Sequence, residues 1–243
     1  MPLGVPKIPL EDPKDPKDPK DPKDPKDPKD PEDPKDPEDP KDPKDPEKEK
    51  EKEKEKEKDE LWVDIYNGLY RRRSVFLGKK LDNELANYVM GVLIYLNIAD
   101  PGPDINLFIN STGGELGYGI SVYDAIQSVN PDVQTVCIGT SVSTATLVLL
   151  GGEMTKRLAF PHARVMMYQP KSDLVKKTVL EDYFWETYEV KKKYEYIKDC
   201  YVERTGKPRC VITEDLKRDD FMTPEEAQTH GIIDDIMIKE FNK

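Results

Sequence analysis

The sequence is poor in the residue types that carry redox, metal and nucleic-acid chemistry. Three cysteines, Cys137, Cys200 and Cys210, are too few and too far apart to form a CxxC pair or a disulfide framework. Reduced thiols in a reducing compartment are expected, with Cys137, inside an apolar run, in the core. Only two histidines occur, His162 and His230, with no cluster of metal ligands around either, so neither metal nor other cofactor is expected. No stretch approaches 18 consecutive apolar residues, which argues against a membrane span. The net charge is −11 and there is no basic stripe, so nothing favours nucleic acid. The N-terminus has neither an apolar signal core nor the Arg/Ser-rich, acid-poor character of a transit peptide.

What the chain has in excess is proline and charge, and both are concentrated. Residues 11–59 are almost wholly Asp, Glu, Lys and Pro and carry about −7 of the net charge, leaving about −4 for the rest. From Glu11 to Glu47 the unit Asp-Pro-Lys recurs with period three, Glu replacing Lys at a few places. Proline at every third position removes backbone donors and blocks helix and sheet, so an extended, solvated, polyproline-like chain is expected. From Glu47 to Lys58 Glu and Lys alternate, a pattern that supports at most a short, frayed helix and buries nothing. Such a segment reads either as a low-complexity insertion tolerated at a flexible end or as a docking or gating arm.

The remaining chain, residues 60–243, is long enough for one domain with a sizeable core. Ser74–Leu77 reads as a short strand. Asp82–Leu96 has apolar residues at helical spacing and predicts a helix capped by Asp82. Ile105–Ile109 reads as a buried strand ending in the Gly-rich loop Asn110–Gly114, and Gly117–Val129 as the next helix. Val133–Ile138 is a further strand, followed by a small-residue segment, Thr140–Thr146, that runs into the apolar Leu147–Leu150. Arg157–Phe160 and Arg164–Gln169 read as strands, and Thr178–Thr205 as a long, highly charged helix. Alternating strands and helices predict an α/β fold. Two of its loops present small residues at strand C-terminal ends, where α/β proteins place their ligands.

Several segments resemble the proteolytic subunit of the ATP-dependent Clp protease, in its plastid-encoded type. Met1–Pro9 looks like the start of that family's chain, and Leu61–Asn67 resumes the likeness after the insertion. Phe108–Gly114 resembles the family's FINSPGG loop with Thr112 in place of proline. Gly151–Met166, Arg204–Pro208, Arg218–Met222 and Glu226–Asp234 continue it in order. The resemblance implies three segments: a family-like start (1–10), the insertion (11–59) and a Clp peptidase domain (60–243). It also implies the Clp protease/crotonase-like fold, with a handle helix at about 178–205.

Acyl transfer to serine needs an exposed hydroxyl, a base within hydrogen-bond reach, a group that orients the base, and donors for the oxyanion. Aligned on the family's GxxASMGS motif, Gly139–Thr146 places Ser143 on the nucleophile. The resemblance puts the two oxyanion N–H groups at Gly114 and Thr144 and the acid at Asp219, with Asp220 an adjacent rival. The family's MIHQP segment is here Met166–Pro170, so Tyr168 stands where the base histidine belongs. Tyrosine ordinarily titrates near 10, so a phenol there donates a hydrogen bond and does not take the serine proton. His162 lies six residues away, roughly 20 Å along an extended strand. His230 falls at a position the family does not use for chemistry. Each element also has a plainer reading: Ser143 as a small polar residue in a Ser/Thr-rich turn, and Gly113 and Gly114 as turn glycines.

The family's assembly implies two stacked heptameric rings of related subunits, joined through the handle helix and fed unfolded polypeptide by a separate AAA+ unfoldase. No phosphate-binding GxxxxGKS/T loop occurs in this chain. The resemblance further implies the chloroplast stroma as the location, and neither membrane nor nucleic acid as partner. Three functions follow for comparison: a serine endopeptidase subunit, a catalytically inactive ring subunit, and, remotely, an acyl-CoA enzyme of the related crotonase fold.

Overall fold

A computed structural model describes residues 7–9, 62–169, 180–218 and 220–237. The repeat and the Glu-Lys run lie outside the described residues. The chain divides into two units, Met1–Gly68 and Leu69–Lys243. In the first, β1 (Lys7–Pro9) pairs antiparallel with β2 (Trp62–Asp64). The helix α1 (Ile65–Arg71) spans the division.

The second unit is built on a six-stranded sheet in which every pairing is parallel. Its order is β3 (Ser74–Leu77), β4 (Ile105–Ser111), β5 (Val133–Val142), β6 (Arg157–Ala159) and β8 (Asp235–Ile236). The remaining strand, β7 (Arg164–Met166), lies beside the far half of β5. Alternation sets the faces. Ile105, Leu107, Ile109 and Ser111 of β4 are buried, while Phe108 points to the opposite face and stacks on Phe76 at 4.9 Å, its partner in register.

Helix α2 (Asn83–Ala99) begins where Asp82 accepts the Leu85 N–H at 2.8 Å, the expected cap. Its Val89, Leu93 and Leu96 share one core with Val122 and Ile126 of α3 (Leu116–Ser128) and with the buried residues of β3 and β4. The apolar run before Gly151 is a helix, α4 (Thr144–Leu150), buried at every position. A helix apolar all round has no solvent face and belongs inside.

The strand expected at Val133–Ile138 continues to Val142, because Thr140–Val142 pair with Arg164–Met166 of β7. Conversely, the strand expected through Gln169 ends at Met166. Beyond it the Gln169 N–H donates instead to Leu216 O at 2.9 Å. The long helix α5 (Leu180–Thr205) buries Ile197, Cys200 and Tyr201 near its C-terminal end, while Phe184, Trp185 and Tyr188 toward its start are exposed. It is followed by α6 (Arg209–Asp215) and α7 (Pro224–His230). Cys137 is buried, as its apolar surroundings predict; Cys200 is buried and Cys210 exposed, all three as free thiols. No described helix is long and apolar enough to cross a membrane.

One buried guanidinium ties the far edge of the sheet to two helices. Arg157 on β6, 3% exposed, reaches Asp234 through Nε (2.9 Å) and Nη2 (2.6 Å), and its Nη1 donates to the carbonyls of Arg204 and Gly231. Arg204 in turn donates to Gly151 O and Gly152 O just after α4. Burial pushes the Asp234 pKa up, but the hydrogen bonds and charge of Arg157 outweigh it and hold the carboxyl below its ordinary value. A carboxylate depressed in the folded state contributes stability above the ordinary aspartate range and loses it as pH falls below about 4. Asp234→Asn, which leaves a buried cation half-partnered, is therefore expected to cost about 3 kcal/mol at neutral pH. Denaturant unfolding at several pH values should show this deficit shrinking below about pH 4; a deficit independent of pH would exclude the ion pair as its source.

Candidate active site

The turn from β5 into α4 is made by a single residue in an unusual conformation. Ser143 has φ 56° and ψ −118°, a region that side chains with a Cβ avoid. The cost is of order 1–3 kcal/mol and persists only where the surroundings enforce it. They do so from both sides. The Ser143 N–H donates to Met166 O of β7 at 3.0 Å, and Ser143 O accepts from the N–H groups of Thr146 and Leu147 in the first turn of α4. The Thr146 hydroxyl lies 2.8 Å from Ser141 O and 2.9 Å from Met166 O, stitching strand, turn and helix together. Ser143 itself remains half-exposed.

The second component comes from the loop after β4. The Ser111 hydroxyl donates to Lys79 O at 2.6 Å and accepts from the Gly113 N–H at 3.1 Å, while the Leu81 N–H donates to Gly113 O at 3.0 Å. These bonds tie the loop to the segment between β3 and α2. A Cβ on Gly113, whose φ is +78°, would lie 2.5 Å from Val142 O and 3.1 Å from Thr144 N. One on Gly114 would lie 1.8 Å from Leu81 O. Both glycines are therefore required by close backbone approach, beyond any role as turn residues. The Gly114 N–H donates to Thr144 Oγ1 at 2.8 Å, and Gly119 on α3 leaves the space that Thr144 Cβ and Cγ2 fill. Ser143, Thr144, Gly113 and Gly114 are thus brought to one place at the C-terminal ends of neighbouring parallel strands.

The third component is the segment after β7. Val142 pairs with Met166, so half-buried Tyr168 follows two residues beyond the strand position beside the serine turn. Asp219 lies outside the described residues. On either side of it, Leu216 accepts from the Gln169 N–H at 2.9 Å, and Met222 exchanges hydrogen bonds of 2.7 and 3.1 Å with Val165. Asp220 is exposed and lines an open cavity of about 440 Å³ with Asp215, Arg218 and His230 over Met167 and Met222.

His230, at the end of α7, is mostly buried and lies with Nε2 2.8 Å from Asp215 Oδ2. His162 is exposed in the turn between β6 and β7. The pairing of Asp215 with His230 had no signature in sequence, since it depends on how α6 and α7 pack. The same holds for Thr144, whose side-chain partner is a backbone group thirty residues earlier.

Residues 57–240 match the model of the family described as Clp protease. The chain is 51% identical over 176 residues to the ATP-dependent Clp protease proteolytic subunit of Cucumis sativus, covering 72% of this chain and 90% of the relative. It is 50% identical over 181 residues to that of Glycine max, covering 74% and 92%. It is 48% identical over 184 residues to that of Phalaenopsis aphrodite subsp. formosana, covering 76% and 90%.

The backbone at Ser143 makes a direct prediction. Glycine relieves the positive φ and alanine does not, so Ser143→Gly is expected to be more stable than Ser143→Ala by about 1 kcal/mol in thermal or denaturant unfolding. Equal stabilities, or a less stable glycine variant, would show that the turn is unstrained.

Proposed function

This chain belongs to the Clp protease family, and we propose that it serves as a proteolytic-core subunit of an ATP-dependent Clp protease, of the serine endopeptidase class. The observation that carries the reading is the Ser143 turn. A half-exposed hydroxyl sits on a strained strand-to-helix junction, against a glycine loop too close to accept a side chain. That is the construction acyl transfer requires: a fixed nucleophile beside backbone donors.

In this reading Ser143 Oγ attacks the scissile carbonyl, and the carbonyl oxygen, as it gains charge, is received by the N–H groups of Gly114 and Thr144. Asp219 is the acid, as the resemblance implies. Asp220, exposed beside the cavity, is the lesser candidate. Tyr168 occupies the base position. A phenol is a poor substitute for an imidazole as general base, so turnover by this subunit alone is slow. Tyr168 also favours a second reading, in which the chain completes the ring and its own site contributes little chemistry.

The segments are assigned as a family-like start (1–10), an insertion (11–59) and the peptidase domain (60–243). The subunit joins related chains in two stacked heptameric rings, with α5 as handle. The exposed Phe184, Trp185 and Tyr188 support burial of that helix between rings. An AAA+ ATPase delivers unfolded polypeptide. The plant relatives support a plastid location, in the chloroplast stroma.

A fluorophosphonate probe on the assembled complex, read by peptide mass spectrometry, tests both halves. Ser143 is expected to label slowly, and Tyr168→His to raise the rate about 100-fold or more. Equal rates in the two proteins would refute the missing-base explanation. Failure of Ser143 to label in either would refute its assignment as nucleophile.

A further inference from the structure

We infer that Thr144 is a built-in brake: its side-chain hydroxyl occupies the Gly114 N–H that a substrate oxyanion would need. The inference rests on the assignment of Ser143 and its donors made above, and deepens it.

An oxyanion pocket works when its donors are unpaired and already aimed at the position where charge develops. Here one of the two is committed elsewhere. The Gly114 N–H points at Thr144 Oγ1 across 2.8 Å, a full-strength hydrogen bond. The same hydroxyl lies 3.5 Å from Gly114 O, so it faces both the N–H and the C=O of that residue. An N–H with one good acceptor cannot serve a second at full strength. Nor can a substrate oxygen simply displace the hydroxyl, because Thr144 is 1% exposed and packed on both sides.

The packing keeps the hydroxyl in place. The Thr144 Cβ and Cγ2 fill the space left by Gly119, where an added Cβ would come within 2.6 and 3.1 Å of them. A side chain with its methyl fitted beside Gly119 and its hydroxyl on Gly114 has each branch in its own environment. Turning about χ1 would carry the hydroxyl away and leave the Gly114 N–H without that partner. Freeing the donor therefore requires a side-chain rotation or a shift of the Gly113–Gly114 loop, and the loop is held in turn by Ser111 and Leu81. This acts separately from Tyr168, so restoring a base leaves the brake on.

The test is made in assembled complexes whose subunit carries Tyr168→His, so that proton removal from Ser143 is not limiting. In fluorophosphonate labelling Ser143 Oγ bonds to phosphorus, the P–F bond breaks, fluoride leaves, and the introduced histidine takes the hydroxyl proton; the phosphoryl oxygen occupies the oxyanion position. Thr144→Ala removes the acceptor and clears the space in front of the Gly114 N–H, which a branched side chain of the same shape would still cover. It is expected to raise the labelling rate of Ser143 about tenfold, a fraction of the 10²–10³ attributed to one oxyanion donor. Thr144→Ser, which keeps the hydroxyl, is expected to label more slowly than alanine. Thr144→Val, whose second methyl fills the place of the hydroxyl, is likewise expected to label more slowly than alanine.

An alanine rate equal to or below the parent's would overturn the inference, making Thr144 a tether that positions the loop. A serine rate as fast as that of alanine would also overturn it, by showing that the lost methyl matters and not the hydroxyl. Labelling that survives Ser143→Ala would instead strike at the nucleophile assignment on which the inference rests, and would be recognised separately by that control.

Discussion

The structure turns on how closely two backbones meet. Parallel pairing of β4 and β5 carries the loop after one strand and the turn after the other to the same end of the sheet. There they approach until no side chain fits between Gly113 and Val142. The approach dictates several distant choices. Glycine is needed at 113 and 114, and again at 119 so that α3 clears Thr144. The buried helix α4 has to start immediately after Ser143, which forces that residue into a conformation it would otherwise avoid. The hydrogen bond from Gly114 to Thr144 is the seam along which these requirements are joined.

The scaffold and the chemistry are carried by different parts of the molecule. Arg157, with its pairing to Asp234 and its bonds to the carbonyls of Arg204 and Gly231, locks the far edge of the sheet to α5 and to the end of α7. None of these groups is within the glycine loop or the serine turn. The architecture of the family is therefore held by groups other than those proposed for the chemistry, and the proposed roles of Tyr168 and Thr144 bear on rate and not on the fold.

What was legible in sequence was what depends on near neighbours. The Asp82 cap follows from three residues of local chain, and the buried face of β4 from simple alternation. The glycine loop and the Ser143 turn were singled out by their motifs, and the structure brings the two together. What was not legible depends on distant partners. The true end of β5 is set by β7, more than twenty residues later, and the early end of β7 is set by Leu216. The Leu147–Leu150 run has no period with which to distinguish a buried helix from a strand. No local signal could assign the Thr144 hydroxyl to Gly114, or His230 to Asp215. The assignment of Asp219 rests on resemblance.

The glycine loop and the serine turn form one locked unit. A high-resolution reconstruction of the assembled complex would read this from the backbone of Ser143 and the distance from Gly114 N to Thr144 Oγ1. A Ser143 φ near 56° and a separation near 2.8 Å are expected in this subunit. A Ser143 in ordinary helical or extended geometry, or a separation beyond about 3.5 Å, would contradict it.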